Sequence, residues 1–178
     1  MSLRPASPEE QLAEILRELG IPNACRNRQL FPEASELVSV GKDICGREQR
    51  LALHAANAWR ELQAAAESEG IVLLLVSAFR SWSCQKQIIE RKLAASQTME
   101  EILRVSAAPG FSEHHTGRTV DVTTPGCKPL TEDFEQTPGF VWLVRRADDF
   151  GFSMTYPRHN KFGVIYEPWH WTFNERTV

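Results

Sequence analysis

Apolar residues recur at helical spacing near the start of the chain and again through its middle. A Ser-Pro-Glu-Glu capping box at 7–10 precedes an apolar stripe that ends at Gly20, which predicts a first helix. The same reasoning predicts four further helices, over Arg47–Glu69, from near Ser81 or Ser83 to Ala95, from Thr98 for a short stretch, and over Thr137–Phe150. The segment 21–46 is predicted to be irregular.

Strand signals fall mainly in the second half. The run Ile71–Val76 is continuously apolar, which is typical of a buried strand. Residues 108–124 are predicted to form a loop that feeds a short strand, Thr119–Thr123. The tail from Phe152 to Phe173 is aromatic and β-branched with breaks near Pro157 and Gly163, which predicts two or three strands. Helices come mostly first and strands mostly last, which favours an α+β fold over a βαβ repeat.

Length and charge exclude several classes of protein. A chain of 178 residues is long enough for one domain. The formal net charge of −3 argues against a surface that binds nucleic acid throughout. No apolar run approaches the roughly 18 residues that cross a bilayer, and residues 1–10 lack the apolar segment of a secretory signal peptide. We therefore expect neither a nucleic-acid partner nor a membrane span.

The four cysteines, Cys25, Cys45, Cys84 and Cys127, are widely spaced and form no C-x-x-C pair. This spacing argues against a zinc finger and against a dense disulfide framework. Mostly reduced thiols are expected, and a bridge between Cys25 and Cys45 stays open if the protein works outside the cytoplasm.

The first candidate site surrounds His114 and Asp121. A histidine nitrogen and an aspartate oxygen are both zinc ligands, and Gly117 permits a tight bend between them. Asp121 stands between Val120 and Val122, so a strand that hides both valines turns the carboxylate to the opposite face. Such a carboxylate needs a partner, which is either a metal ion or a salt bridge in a surface loop.

The second candidate site is the segment Glu-Pro-Trp-His-Trp at 167–171. Glu167 and His170 cannot share a face of a flat strand, but a bend at Pro168 lets them converge. Hydrolysis by zinc requires three protein ligands, an open position for water, and a base beside that water. With His114 and Asp121, His170 completes three ligands and Glu167 supplies the base. Alternatively, the segment is aromatic core with a solvated glutamate and histidine.

The combined motifs resemble the VanY-type D-alanyl-D-alanine carboxypeptidases of the LAS zinc peptidase group, named for lysostaphin, D-Ala-D-Ala peptidases and sonic hedgehog. Residues 112–121 meet the family pattern Ser-x-His-x-x-Gly-x-Ala-x-Asp, except that Thr119 replaces alanine. The segments 166–170 and 77–81, with Gln85, match further family blocks, and the similarity runs from about 48 to 173. Two other departures are Phe79 in place of tyrosine, and Trp-Thr-Phe after His170, where related chains often show a basic residue and Tyr-Val.

The resemblance implies an α+β, LAS/hedgehog-like fold in which a small antiparallel sheet carries one Zn²⁺ ion in a cleft, with helices packed on the other face. Residues 1–46 would be an N-terminal helix and irregular segment packed on a VanY-like domain over 47–178. The implied roles are metal ligands (His114, Asp121, His170), general base (Glu167), stabiliser of the oxyanion-like oxygen (Arg80) and substrate contacts (Ser112, Gln85).

The expected function is zinc-dependent D,D- or L,D-carboxypeptidase activity on peptidoglycan stem peptides, by a monomer. The alternatives are a D-Ala-D-Ala dipeptidase, a peptidoglycan endopeptidase, a secreted toxin that cleaves peptidoglycan, and a zinc-binding interaction module without catalysis. Glu167 and Arg80 argue against the last, because a purely structural metal site needs neither. The expected location is the bacterial cell envelope or periplasm if a signal has been removed, and otherwise the cytoplasm.

Overall fold

The computed structural model describes Arg4, residues 6–22 and residues 29–175. Six strands in this part of the chain form two antiparallel sheets. Their bounds are β1 Val38–Lys42, β2 Glu48–Leu51, β3 Leu74–Ser77, β4 Thr119–Thr123, β5 Phe152–Met154 and β6 His170–Phe173. The strands β1 and β2 form a hairpin, and the other four form a sheet in the order β3-β4-β6-β5. The expected small antiparallel sheet in an α+β fold is confirmed.

Five α-helices accompany the sheets in the described residues: α1 Pro8–Glu18, α2 Leu53–Ser68, α3 Trp82–Ala94, α4 Met99–Val105 and α5 Pro138–Arg146. Short 3-10 helices cover Glu113–Thr116, Glu132–Gln136 and Ala147–Phe150. The predicted capping boxes at Ser7 and Thr98 are both present, and the Ser81 hydroxyl accepts from the Cys84 N–H at the start of α3. No described helix is long and apolar enough to cross a membrane.

The segment before α2 differs from the prediction. The helix expected from Arg47 begins at Leu53, and the residues 48–51 are strand β2; the segment 21–46, expected to be irregular, contains β1. The Asp43 carboxylate explains the hairpin, because it accepts from the backbone N–H groups of Cys45 and Arg47 at 2.8 and 3.0 Å and so stabilises the turn. The hairpin spans the predicted boundary between residues 46 and 47. The division of the chain at this point stays a prediction.

Two clusters of apolar side chains hold the fold together. The larger lies between the four-stranded sheet and the helices α2 and α5, and it includes Val120 and Val122 of β4 together with Trp59 and Trp142. The smaller joins α1, α3 and α4, as well as Phe111. The helices α2 and α5 therefore cover one face of β4, and its other face is left for polar side chains.

The described thiols of Cys84 and Cys127 are free. Cys25, and with it the predicted bridge to Cys45, lies outside the described residues.

Candidate metal centre

The structure brings His114, Asp121 and His170 into one buried cluster, in which one ligand atom of each lies within 4.8 Å of the others. The strand register accounts for part of this, because Asp121 of β4 stands directly opposite His170 of β6. His114 reaches them from the 3-10 helix Glu113–Thr116, which ends at Gly117 with a positive φ of 64°. A Cβ on Gly117 would meet the Ala52 nitrogen at 3.0 Å, so this bend requires glycine.

The orientation of the His114 ring leaves one of its nitrogens available to a metal ion. Its Nδ1 lies 2.6 Å from the Ala78 carbonyl oxygen, which can only accept, so Nδ1 carries the hydrogen. The bare Nε2 is buried, lies 3.1 Å from Asp121 Oδ2, and makes no hydrogen bond to any described residue. A buried lone pair without a donor, on a ring fixed through its other nitrogen, fits a bound metal ion.

Burial and charge set the protonation of the cluster. Burial lowers the pKa of His114 to about 4, and the nearby Arg80 charge adds to this shift. Burial opposes ionisation of Asp121, but the imidazoles of His114 and His170 hold its pKa well below the usual value. At neutral pH His114 is therefore neutral and Asp121 ionised, as metal binding requires.

His170 lies between two carboxylates. Its Nδ1 is 3.1 Å from Asp121 Oδ1, and its Nε2 is 2.9 Å from Glu113 Oε2. Burial alone would lower the pKa of His170, but the hydrogen bonds to both carboxylates outweigh it and raise the pKa to about 9. Without a metal ion, the imidazolium proton supplies the positive charge that these carboxylates face.

Glu167 reaches the cluster through the predicted bend. The His170 N–H donates to the Glu167 carbonyl at 3.1 Å, which closes a turn through Pro168 and Trp169. The Glu167 carboxylate then lies 3.6 Å from His170 Nδ1. Burial raises the pKa of Glu167 to about 7, although the nearby His170 charge opposes this shift. Such a carboxylate can take up and release a proton near neutral pH.

The three other predicted site residues line the same cleft as the cluster, which has a volume of about 1770 Å³. Arg80 follows β3, and its buried Nε has no partner among the described residues. Gln85 of α3 donates to the Ala107 carbonyl at 2.7 Å, while its buried Oε1 likewise lacks a described donor. Ser112 is buried directly before the 3-10 helix that carries His114.

Sequence reasoning missed Glu113. It occupies an unspecified position of the motif, between Ser112 and His114, so nothing in the residue pattern singled it out. His115, next to the candidate ligand His114, is fully buried and bonds to the backbone on two sides of the cleft. Its Nδ1 contacts the Arg80 carbonyl at 2.5 Å, and its Nε2 accepts from Gly110 N–H at 3.2 Å.

The sheet and the cleft that it carries define a class of fold, that of the LAS zinc peptidases. A sequence profile of the VanY family, described as D-alanyl-D-alanine carboxypeptidase, matches residues 48–176. The chain belongs to this family, which confirms the resemblance seen in the motifs.

Individual relatives agree with this assignment. The chain is 30% identical over 172 residues to "Putative carboxypeptidase YodJ" of Bacillus subtilis (strain 168), covering 92% of this chain and 60% of that protein. It is 27% identical over 135 residues to a D-alanyl-D-alanine carboxypeptidase of Enterococcus faecalis (strain ATCC 700802 / V583), covering 70% and 48%. The structure of the LdcB LD-carboxypeptidase matches with a TM-score of 0.69 at 30% identity, covering 79% of this chain and 69% of that one. The chain thus spans 48–60% of the length of these two sequence relatives.

Proposed function

We propose that this chain is a zinc-dependent D,D- or L,D-carboxypeptidase that trims peptidoglycan stem peptides. The observation that carries the proposal is the convergence of a buried His-Asp-His cluster and a largely buried glutamate in one cleft. The relatives are carboxypeptidases by name, and LdcB is an LD-carboxypeptidase in whose structure peptidoglycan recognition is described. A peptidoglycan substrate would place the activity at the cell envelope.

The donor set suits one zinc ion. Two imidazole nitrogens and a carboxylate oxygen are the kind of ligand set found in catalytic zinc sites, which leave a position for water. His114 would bind through Nε2, Asp121 through its carboxylate, and His170 through Nδ1, the nitrogen that faces Asp121. When bound, zinc supplies Lewis acidity, which lowers the pKa of water and polarises the scissile carbonyl.

Glu167 is assigned the proton transfers. Its carboxylate is buried beside the cluster, and burial places its pKa near neutrality, so it can accept the proton of the attacking water. The same carboxyl group then donates that proton to the amine that leaves. The Glu167 side chain, which lines the cleft beside His170, can thus carry out both proton transfers.

Arg80, Ser112 and Gln85 are assigned to the peptide. Arg80 carries a permanent charge and a rigid set of donors, which suits the negative oxygen of the tetrahedral transition state. Buried polar groups without partners call for an explanation. A bound peptide offers one, because its carbonyl or carboxylate oxygens would accept from Arg80 Nε and its amide N–H would donate to Gln85 Oε1. Ser112 would hold the peptide backbone nearby.

The experiment is mass spectrometry of purified muropeptides before and after incubation with the zinc-loaded protein. D,D-carboxypeptidase activity converts pentapeptide stems to tetrapeptides, and L,D-activity converts tetrapeptides to tripeptides. Cleavage of free D-Ala-D-Ala would instead indicate a dipeptidase, and a cut within the stem an endopeptidase. A protein that binds zinc but cleaves none of these substrates would favour the interaction module and contradict the proposal.

The matched control is Glu167→Gln, which is nearly isosteric but cannot accept a proton at neutral pH. We expect it to keep zinc and to lose turnover by about 10²–10⁴-fold. Near wild-type turnover of a substrate that the parent cleaves would show that Glu167 is not the base.

A further inference from the structure

Glu113 connects the candidate metal centre to a group of threonines. Its Oε2 accepts from His170 Nε2 at 2.9 Å and from the Thr172 hydroxyl at 2.8 Å. The side chain is largely buried, with 13% of its surface exposed. The carboxylate therefore lies against the nitrogen of His170 that faces away from Asp121 and Glu167.

Two further hydroxyls support Thr172. Thr119 Oγ1 and Thr155 Oγ1 each lie 3.0 Å from Thr172 Oγ1. A hydroxyl has one proton and two lone pairs. Because Thr172 gives its proton to the Glu113 carboxylate, which can only accept, it must accept from both Thr119 and Thr155. The Thr155 hydroxyl also interacts with the Glu113 carboxylate, so two of the three threonines contact this side chain directly.

The threonines coincide with departures from the family pattern. Thr119 replaces the usual alanine of the first motif, and Thr172 lies in the Trp-Thr-Phe segment that differs from related chains. The two stand directly opposite each other in the β4–β6 ladder. These departures are therefore neighbours in space, and both act on the side chain that contacts His170.

We propose that Glu113, held by Thr172 and Thr155 and through Thr172 by Thr119, is a positioning residue that presents His170 Nδ1 to the metal centre. This inference rests on the proposed zinc site. Because Glu113 accepts from Nε2, that nitrogen keeps its hydrogen and the tautomer with a free Nδ1 is selected. A carboxylate partner on the second nitrogen also fixes the plane of the ring, and loss of such partners typically weakens metal binding about 10–100-fold.

The test measures zinc affinity by competition with a chromophoric chelator, and in parallel the melting temperature of the metal-free protein. Glu113→Ala should weaken zinc binding about 10–100-fold. Glu113→Gln keeps an acceptor oxygen and should weaken it less, and Thr172→Val should have the smallest effect. The matched control is Thr123→Val, which removes a hydroxyl bonded to the Cys127 carbonyl, outside this group, and should leave zinc affinity unchanged.

A double variant separates positioning from independent effects. If Thr172 acts through Glu113, then adding Thr172→Val to Glu113→Ala should cause no further loss of zinc affinity. The visible spectrum of the cobalt-substituted protein should also change in Glu113→Ala, because the geometry at His170 is altered. Should Glu113→Ala fail to fold, Glu113→Gln and Thr172→Val carry the test.

The outcomes distinguish this inference from the proposed function. A wild-type protein that binds no zinc would overturn the proposed function. Unchanged zinc affinity in both Glu113 variants, with the wild type binding zinc, would overturn the positioning role alone. Lower melting temperatures with unchanged affinity would show that Glu113 only supports the fold.

Discussion

Alternate residues of β4 point to two different environments, the apolar core on one face and the candidate metal centre on the other. Val120 and Val122 are fully buried in the main apolar cluster, which also includes side chains of α2 and α5. Asp121, between them, is also buried but faces two histidines within 3.1 Å. Both faces are buried, but the partners on one are apolar side chains and those on the other are imidazole rings at the cleft.

The two faces place different requirements on the amino-acid sequence. The apolar face needs side chains of suitable volume, because dispersion and the hydrophobic effect have no preferred direction. The polar face needs a particular atom at a particular place, because a buried charge without a partner is costly. Substitutions among the polar groups of the site should therefore have larger effects than substitutions on the apolar face.

The largest effect is expected from Asp121→Asn. The side chain keeps its shape, but it loses the charge that attracts a metal ion and the acidic oxygen that binds it. Zinc affinity should fall by more than about 100-fold, beyond the loss typical of an outer hydrogen-bond partner, and peptide cleavage should fall with it. Zinc content after dialysis measures this, with far-UV circular dichroism as the control for folding. Full zinc occupancy would remove Asp121 from the ligand set.

The next effect is expected from Arg80, whose side chain lines the cleft and whose backbone N–H donates to the His114 carbonyl at 3.2 Å. Arg80→Ala should lower kcat/KM by about 10²–10³-fold, because the charge acts most strongly where the oxyanion forms. Arg80→Lys should recover only part of this loss, since lysine lacks the rigid fork of donors. Zinc content should equal that of the wild type in both variants. Equal activity of the arginine and alanine forms would contradict the role.

The pH dependence of the free energy of unfolding should show how much the buried Glu167 carboxylate destabilises the metal-free protein when it is ionised. Glu167 titrates near 4.5 when exposed, and burial raises its pKa to about 7. The folded state thus holds this proton more tightly, so the contribution of Glu167 to the stability of the metal-free protein falls as pH rises from about 4.5 to above 7. Glu167→Gln should therefore raise the free energy of unfolding by about 2–3 kcal/mol at pH 8, and have little effect at pH 4.5.

Denaturant titrations of the metal-free wild type and Glu167→Gln at both pH values measure this difference. A gain in stability that is equal at pH 4.5 and pH 8 would show that the substitution acts through packing and not through ionisation.

The smallest effect is expected on the apolar face. Val122→Ala removes two buried methyl groups and should lower the free energy of unfolding by about 2 kcal/mol. Because no ionisable atom is involved, the loss should be the same at pH 4.5 and pH 8, which makes this variant the control for Glu167→Gln. A strongly pH-dependent loss would mean that the two faces of β4 are coupled.

Local signals in the sequence predicted much of the secondary structure correctly. The helix N-termini at Ser7, Ser81 and Thr98 depend on hydrogen bonds between residues three apart. They can therefore be predicted from the local sequence alone. The prediction was wrong at 47–51, where a helix was expected and β2 forms. That strand exists because the Asp43 turn folds β1 onto it and because the Gln49 side chain accepts from the Ala78 N–H at 3.0 Å. These contacts join residues that no periodic pattern connects.

The amino-acid sequence alone identifies the side chains that can serve as ligands, base and electrophile, because the chemistry of a histidine or a carboxylate does not depend on the fold. It also determined that Asp121 faces away from its two valines, since alternation is a property of any strand. The pairing of Asp121 with His170 and of Thr119 with Thr172 between β4 and β6, by contrast, is a property of the three-dimensional fold. The role inferred for Glu113 and the raised pKa of Glu167 likewise follow from register and burial, which arise from contacts between segments distant in the chain.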